Sequence, residues 1–142
     1  MSGGENPLFI SHFAYIASEL ERRAKAGNRL SYIHFMEPRV TDVSAEDEGS
    51  KAYFDDTNDF VFSTWKGSVI RSGNLALYLE DVKDIVANAR SLVAYARLFI
   101  ANPDLVEKLE KGLPLNKHNR LTFYTMSREG LLDYPTYEEA LK

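Results

Sequence analysis

Two short stretches carry residue types suited to holding an anion. In "LVAYARLFIANPDL", residues 92–105, Leu92 to Ala96 is apolar except for the Tyr95 hydroxyl and leads directly to Arg97. The run has strand length, so Arg97 reads as the strand's end. Its guanidinium is either a surface charge or a forked, permanent cation for an anion. A second strand, "SVIRSG" at 68–73, closes on Gly73 and Asn74. Gly73 lets the main chain approach an anion closely. The plainer alternative for this pair of strand ends is a turn glycine and a surface arginine.

Other reactive side chains are scattered. His12, His34 and His118 match no metal-ligand spacing, and no HExxH, GxSxG, P-loop or GxGxxG is present. His34 lies in an apolar strand and reads as a satisfied core histidine. Glu37 stands just past the same strand and reads as a salt-bridge partner, with Arg39 the nearest candidate. Trp65 reads as core or edge packing. "TFY" at 122–124 puts two aromatics, Phe123 and Tyr124, side by side in a polar stretch. They either pack the tail onto the body or line a ligand mouth.

The elements that must position these groups follow from periodicity. Phe9, Phe13, Ile16 and Leu20 mark an amphipathic helix over 9–26, stopped by Gly27 and Asn28. "LSYIHFM", 30–36, is nearly continuous in apolar residues and reads as a strand covered on both faces. Residues 41–58 are acidic and aperiodic, a surface excursion. "FVFSTWKG", 60–67, fits a short helix or a strand equally. Residues 79–90 form a second helix, with Val82, Ile85, Val86 and Ala89 on its stripe. Asn102 is the expected N-cap, Pro103 the first helical residue and Gly112 the stop of another helix. Glu107 and Lys111 form an i, i+4 pair on it. Residues 113–142 read as a tail with a short last helix near "PTYEEALK". Strands alternating with helices indicate a parallel sheet with helices outside it. In a (β/α) barrel, the carboxyl ends of the last two strands often cradle a phosphate.

The bulk numbers narrow the classes. The 142 residues suit one domain, and 44% hydrophobic with 27% charged content supports a core. A net charge of −4 argues against nucleic acid as a partner. No apolar run is long enough to span a bilayer, and no signal peptide is legible, so no membrane role is expected. With no cysteine, thiolate chemistry and disulfides are excluded. A cytoplasmic, reducing location fits.

Taken together, "HFMEPRV", "NDFVFSTWKGSVIRSGN", "FIANPDLVEKLEKGLPLNK", "TFYTMS" and "DYPTYEEALK" resemble, in that order, the C-terminal part of Old Yellow Enzymes. These are FMN-dependent NADPH dehydrogenases and ene-reductases on a (β/α)8 barrel. The resemblance implies an α/β fold comprising part of that barrel, about the last three β/α units plus a C-terminal tail, in a single incomplete oxidoreductase segment over 1–142. It implies FMN at the barrel mouth, NADPH as reductant and an activated alkene such as an enone as substrate. Gly73 and Asn74 fall on the strand-seven positions that face the FMN phosphate. Arg97 falls on the strand-eight phosphate arginine. Phe123 and Tyr124 fall on the aromatic pair near the flavin and the substrate entrance.

Two departures go with the resemblance. Where family members commonly read Gly-Tyr-Gly-Arg, this chain has Ala94-Tyr95-Ala96-Arg97, and a methyl at Ala96 either crowds the phosphate or opposes the backbone angles needed there. The resemblance also places Met1 after the family's fifth strand. The family's substrate-binding histidine-asparagine pair, proton-donating tyrosine, flavin-tuning threonine and glutamine, and flavin-side arginine then have no matching positions. No catalytic residue is therefore assigned. A partial barrel has two open strand edges, which favour self-association or pairing with the missing N-terminal half. The expected function is thus a piece of an NADPH dehydrogenase, catalytic only within a complete barrel. The alternatives are a non-catalytic truncated remnant and an interaction protein that joins another chain through its edges.

Overall fold

The structure is a computed structural model. It describes residues 8–37, 58–73, 75 and 79–142, the side chains of residues 9 and 79–81 excepted. The expected excursion at 41–58 lies outside the described residues apart from Asn58. The chain divides into two compact units, Met1–Ala94 and Tyr95–Lys142.

The first unit is built on a parallel three-stranded sheet in chain order, β1 (Tyr32–Met36), β2 (Ser68–Ser72) and β3 (Ser91–Val93). His34 pairs with Ile70, and Ile70 with Leu92; Ile33 pairs with Val69, and Val69 with Ser91. Because side chains alternate across a strand, these two rows lie on opposite faces. Ile33, Val69, Arg71 and Ser91 are buried on one face, whereas Tyr32, His34, Met36 and Leu92 are exposed on the other. The expectation that β1 is covered on both faces is therefore corrected. Its residues are apolar on both sides, but the packing covers only one.

The covered face meets α1 (Leu8–Lys25) and α2 (Val61–Thr64) through a core of Ala17, Ala24, Ile33, Val61, Trp65 and Val69. The α1 stripe is turned from the expected one. Ala17, Glu21 and Ala24 are buried, with Leu20 packed against the core. Ile16 remains 51% exposed, and the Phe9 side chain lies outside the described residues. Small residues at 17 and 24 let the helix approach the sheet closely, while Phe13 of the expected stripe meets the Phe35 ring of β1 edge-on at 6.4 Å. Gly27 stops the helix at φ 94°, in the left-handed region.

The ambiguous segment at 60–67 is α2, and Trp65 at its end is fully buried. The Trp65 indole N–H donates to the Ser68 carbonyl at 3.0 Å, which ties the helix end to the start of β2. Arg90 caps the same corner by donating to the Trp65 carbonyl at 2.7 Å. The unit continues through α3 (Leu79–Ala87), in which Ile85 is buried.

The second unit comprises α4 (Arg97–Ala101), α5 (Leu105–Lys111), a 3-10 turn (Arg120–Thr122) and α6 (Tyr137–Ala140). Two expectations change here. The strand closes at Val93 rather than continuing to Arg97, which instead opens α4. The last sheet bond of this strand runs from the Ala94 N–H to the Arg71 carbonyl. The N-cap position of α5 is Asp104, not Asn102, which instead follows the last residue of α4. Gly112 does stop α5, at φ 63°. The Glu107–Lys111 pair forms, and α6 begins with a capping box between Thr136 and Glu139.

Candidate functional site

The carboxyl ends of β1 and β2 are fixed by buried charge. Val69 and Arg71 occupy the same face of β2, so the Arg71 side chain points into packed structure. Its Nε donates to one Glu37 oxygen, and a terminal nitrogen donates to Asp59 at 2.7 Å. The other Glu37 oxygen accepts from the Asn58 main-chain N–H at 3.2 Å, and the Asn58 amide donates to the Met36 carbonyl at 3.0 Å. The Glu37 N–H donates to the Ser72 carbonyl at 2.7 Å. Glu37 is thus a salt-bridge partner, as its place past the strand suggests. Its partner is Arg71 across the sheet; Arg39 lies outside the described residues.

This network secures the chain directly before Gly73. Gly73 has φ 111°, in the region a side chain disfavours, as a main chain turning off a strand end requires. Asn74 lies outside the described residues. His34 is not a core histidine. It stands on the exposed face, with Nε2 2.9 Å from the Ser72 hydroxyl. Among the described residues no group of side chains could hold a metal ion, and no helix is long and apolar enough to cross a membrane.

In the second unit, Ala96 has φ −102° and ψ −66°, which any L-residue adopts. The alanine before Arg97 therefore carries no backbone strain, and Arg97 itself is half-buried at the start of α4. Burial raises the pKa of the Tyr95 hydroxyl, keeping it protonated. Phe123 and Tyr124 follow the 3-10 turn and differ in setting. The Phe123 ring lies 5.3 Å from the His118 ring, centroid to centroid, whereas Tyr124 is 93% exposed.

A second polar cluster lies in the same unit. The Asn102 side-chain oxygen accepts from Lys108 Nζ at 3.0 Å and from the Asn116 main-chain N–H at 2.7 Å. Lys108 also pairs with Asp104 at 3.2 Å, and Asp104 accepts from the Tyr137 N–H at 2.7 Å. Burial acts to raise the Asp104 carboxyl, but the Tyr137 N–H and the Lys108 ammonium outweigh it, leaving the carboxyl below its usual value. Sequence reasoning singled out Glu37 and Asn102 from these clusters but neither Arg71 nor Lys108. The signal was available for Arg71, since an arginine two residues from Val69 shares a buried strand face and needs a partner. Lys108 carries a comparable sign, lying three residues after Leu105 on one helix face.

The model of the NADH:flavin oxidoreductase / NADH oxidase family matches residues 4–116. The chain belongs to this family. Enoate reductase 1 of Kluyveromyces lactis is 55% identical over 142 residues, covering 99% of this chain and 35% of that protein. The 12-oxophytodienoate reductase 2 of Arabidopsis thaliana is 40% identical over 139 residues, covering 96% of this chain and 33% of that protein. The crystal structure of the Old Yellow Enzyme from a Pichia species matches with a TM-score of 0.72 at 38% identity, over 92% of this chain and 31% of that one. The chain thus spans about a third of the relatives it matches. Its parallel sheet with helices is part of the Old Yellow Enzyme barrel, as the resemblance implies.

Proposed function

We propose that this chain supplies the FMN-phosphate end of an NADPH dehydrogenase of Old Yellow Enzyme type that reduces activated alkenes such as enones. The observation that carries the proposal is the family match over residues 4–116, joined to a positive φ at Gly73 directly beyond β2. In this account Gly73 and Asn74 offer main-chain N–H groups to the phosphate, with no Cβ at Gly73 to obstruct the approach. Arg97 supplies a guanidinium whose forked donors suit a phosphate. The negative φ of Ala96 removes the backbone objection to an alanine before it. Phe123 and Tyr124 border the flavin and the substrate entrance. Bound FMN would supply the hydride-transfer chemistry between NADPH and the alkene. The described side chains bind and orient, and none is given a proton-transfer role.

A second element of the proposal concerns the exposed sheet face. Tyr32, Met36 and Leu92 are 52%, 62% and 55% exposed there, and Leu8, Ile10 and Ile16 of α1 exceed 50%. Apolar groups of this size on one sheet face and one helix suit cover by further barrel units. Five more β/α units supply that cover in a complete barrel, whether within one chain or by pairing with another. The absence of cysteine accords with a reducing, cytoplasmic setting.

The test is a chimera in which this chain replaces the matched third of the Kluyveromyces lactis enoate reductase 1. The proposal expects a yellow protein whose flavin absorbance is bleached by NADPH and restored by an enone. A folded but colourless chimera contradicts it. The isolated chain is expected to bind a hydrophobic dye and to self-associate. A monomer with a cooperative melt and no dye binding overturns the second element.

A further inference from the structure

We infer that Asn116, with Asn102, Lys108 and Asp104, forms a clasp that closes the base of loop 117–136 and so sets where Phe123 and Tyr124 stand. The inference rests on the proposed role of those two aromatics. It adds residues outside the loop as positioning residues for the substrate entrance.

The loop's two ends meet at one side chain. The Asn116 amide donates to the Ala101 carbonyl at 2.9 Å and to the Pro135 carbonyl at 2.8 Å. One amide thus ties the last residue of α4 to the far end of the loop. The Asn116 main-chain N–H and carbonyl both bond the Asn102 side chain, at 2.7 and 3.2 Å. Asp104 holds the other end through the Tyr137 N–H. Lys108, 1% exposed, joins Asn102 to Asp104, so the two anchors form one connected group. The network is buried at the Lys108–Asn102 bond, part-buried around Asn116 and exposed only at Pro135, so breaking its inner bonds strands polar groups away from water.

The loop above is held mostly by its own turns. The Thr122 hydroxyl donates to Asn119 at 2.7 Å, the Asn119 N–H donates to the Tyr134 hydroxyl at 2.7 Å, and the Gly130 N–H donates to Asp133 at 2.7 Å. Tyr124 and Met126 at its tip are fully exposed or nearly so. Among the described contacts of this unit, the base therefore sets the position of the tip. Rotation at the base carries Phe123 and Tyr124 with it.

The test is amide hydrogen exchange on the 142-residue chain and its Asn116→Ala variant. This variant keeps the main-chain bonds to Asn102 and removes the two from the amide. Exchange at the base amides of Asn116 and Tyr137 should rise roughly tenfold to a hundredfold, as loss of two hydrogen bonds implies, while α5 amides stay protected. Asn102→Asp keeps an acceptor for Lys108 and Asn116, and should leave those two base amides more protected than Asn116→Ala does. Unchanged exchange at both base amides, or an equal rise in α5, overturns the clasp. In the flavin-bearing chimera, Asn116→Ala should raise the enone KM while the rate of flavin reduction by NADPH is unchanged. An unchanged KM refutes the link to the entrance. A chimera without flavin refutes the functional proposal and with it that link, and the exchange result still decides the clasp by itself.

Discussion

Removing the Arg71 guanidinium should be among the most damaging single changes in the first unit. Arg71→Leu leaves the Glu37 carboxylate, 1% exposed, without its ion-pair partner. What remains on that carboxylate is the Asn58 main-chain N–H at 3.2 Å and its amide at 3.4 Å, both long bonds. Breaking a buried pair from one side costs about 3–5 kcal/mol. The Asp59 contact adds little, because that carboxylate is 61% exposed and its pairing is worth about 0–1 kcal/mol. With a urea m-value of about 2 kcal/mol/M, a loss of this size lowers the midpoint by about 2 M. Trp65 is the chain's one tryptophan and is fully buried beside the sheet, so its fluorescence follows this unit. Glu37→Leu combined with Arg71→Leu should cost much less than the sum of the two single changes, since no charge is then stranded. A midpoint shift below 0.5 M for Arg71→Leu, roughly 1 kcal/mol at that m-value, refutes the reasoning. So does an additive double variant.

Other expectations test separate parts of the structure. Gly67→Ala places a methyl 2.5 Å from Trp65 Cζ2, and because Trp65 is fully enclosed the cost should be about 1–3 kcal/mol by denaturation; a neutral result means the indole shifts freely. The Arg22 and Arg23 side chains hold the Glu19 carboxyl at a pKa of about 2, below its usual 4.5. Its folded value lies below its unfolded one, so its contribution to α1 is present above pH 4.5 and is lost as pH falls toward 2. Circular dichroism of Glu19→Gln should show less loss of helix across that window than the parent chain, and identical profiles contradict the assignment. Thr136→Ala removes the capping box of α6 and should cost about 0.5–2 kcal/mol, measured as local hydrogen exchange at 137–140.

The sequence was most legible where a local rule acts alone. Gly27 and Gly112 stop helices with the positive φ that glycine permits, and the Glu107–Lys111 pair follows directly from helix spacing. It was less legible where pairing decides. Leu92 to Ala96 contains no polar break, so it reads as a five-residue strand; the ladder nevertheless ends as Ala94 bonds to Arg71, and Arg97 begins a helix. Burial was least legible. "YIHFM" is apolar on both sides, yet only the side facing α1 and Trp65 is covered. Arg71 depends on a partner 34 residues away, Glu37, and Asp104 on the Tyr137 N–H 33 residues away, which no local pattern reveals. Family resemblance supplied the phosphate assignments for Gly73, Asn74 and Arg97.

The most direct test of the central claim compares FMN with riboflavin, which lacks the phosphate, in the chimera and in its Arg97→Ala variant. The account predicts that the variant loses FMN affinity by roughly tenfold to a hundredfold, as expected for a charge-assisted contact of about 1.5–3 kcal/mol, while riboflavin affinity is unchanged. Equal loss for both ligands, or none for FMN, would contradict the assignment of the phosphate to this arginine.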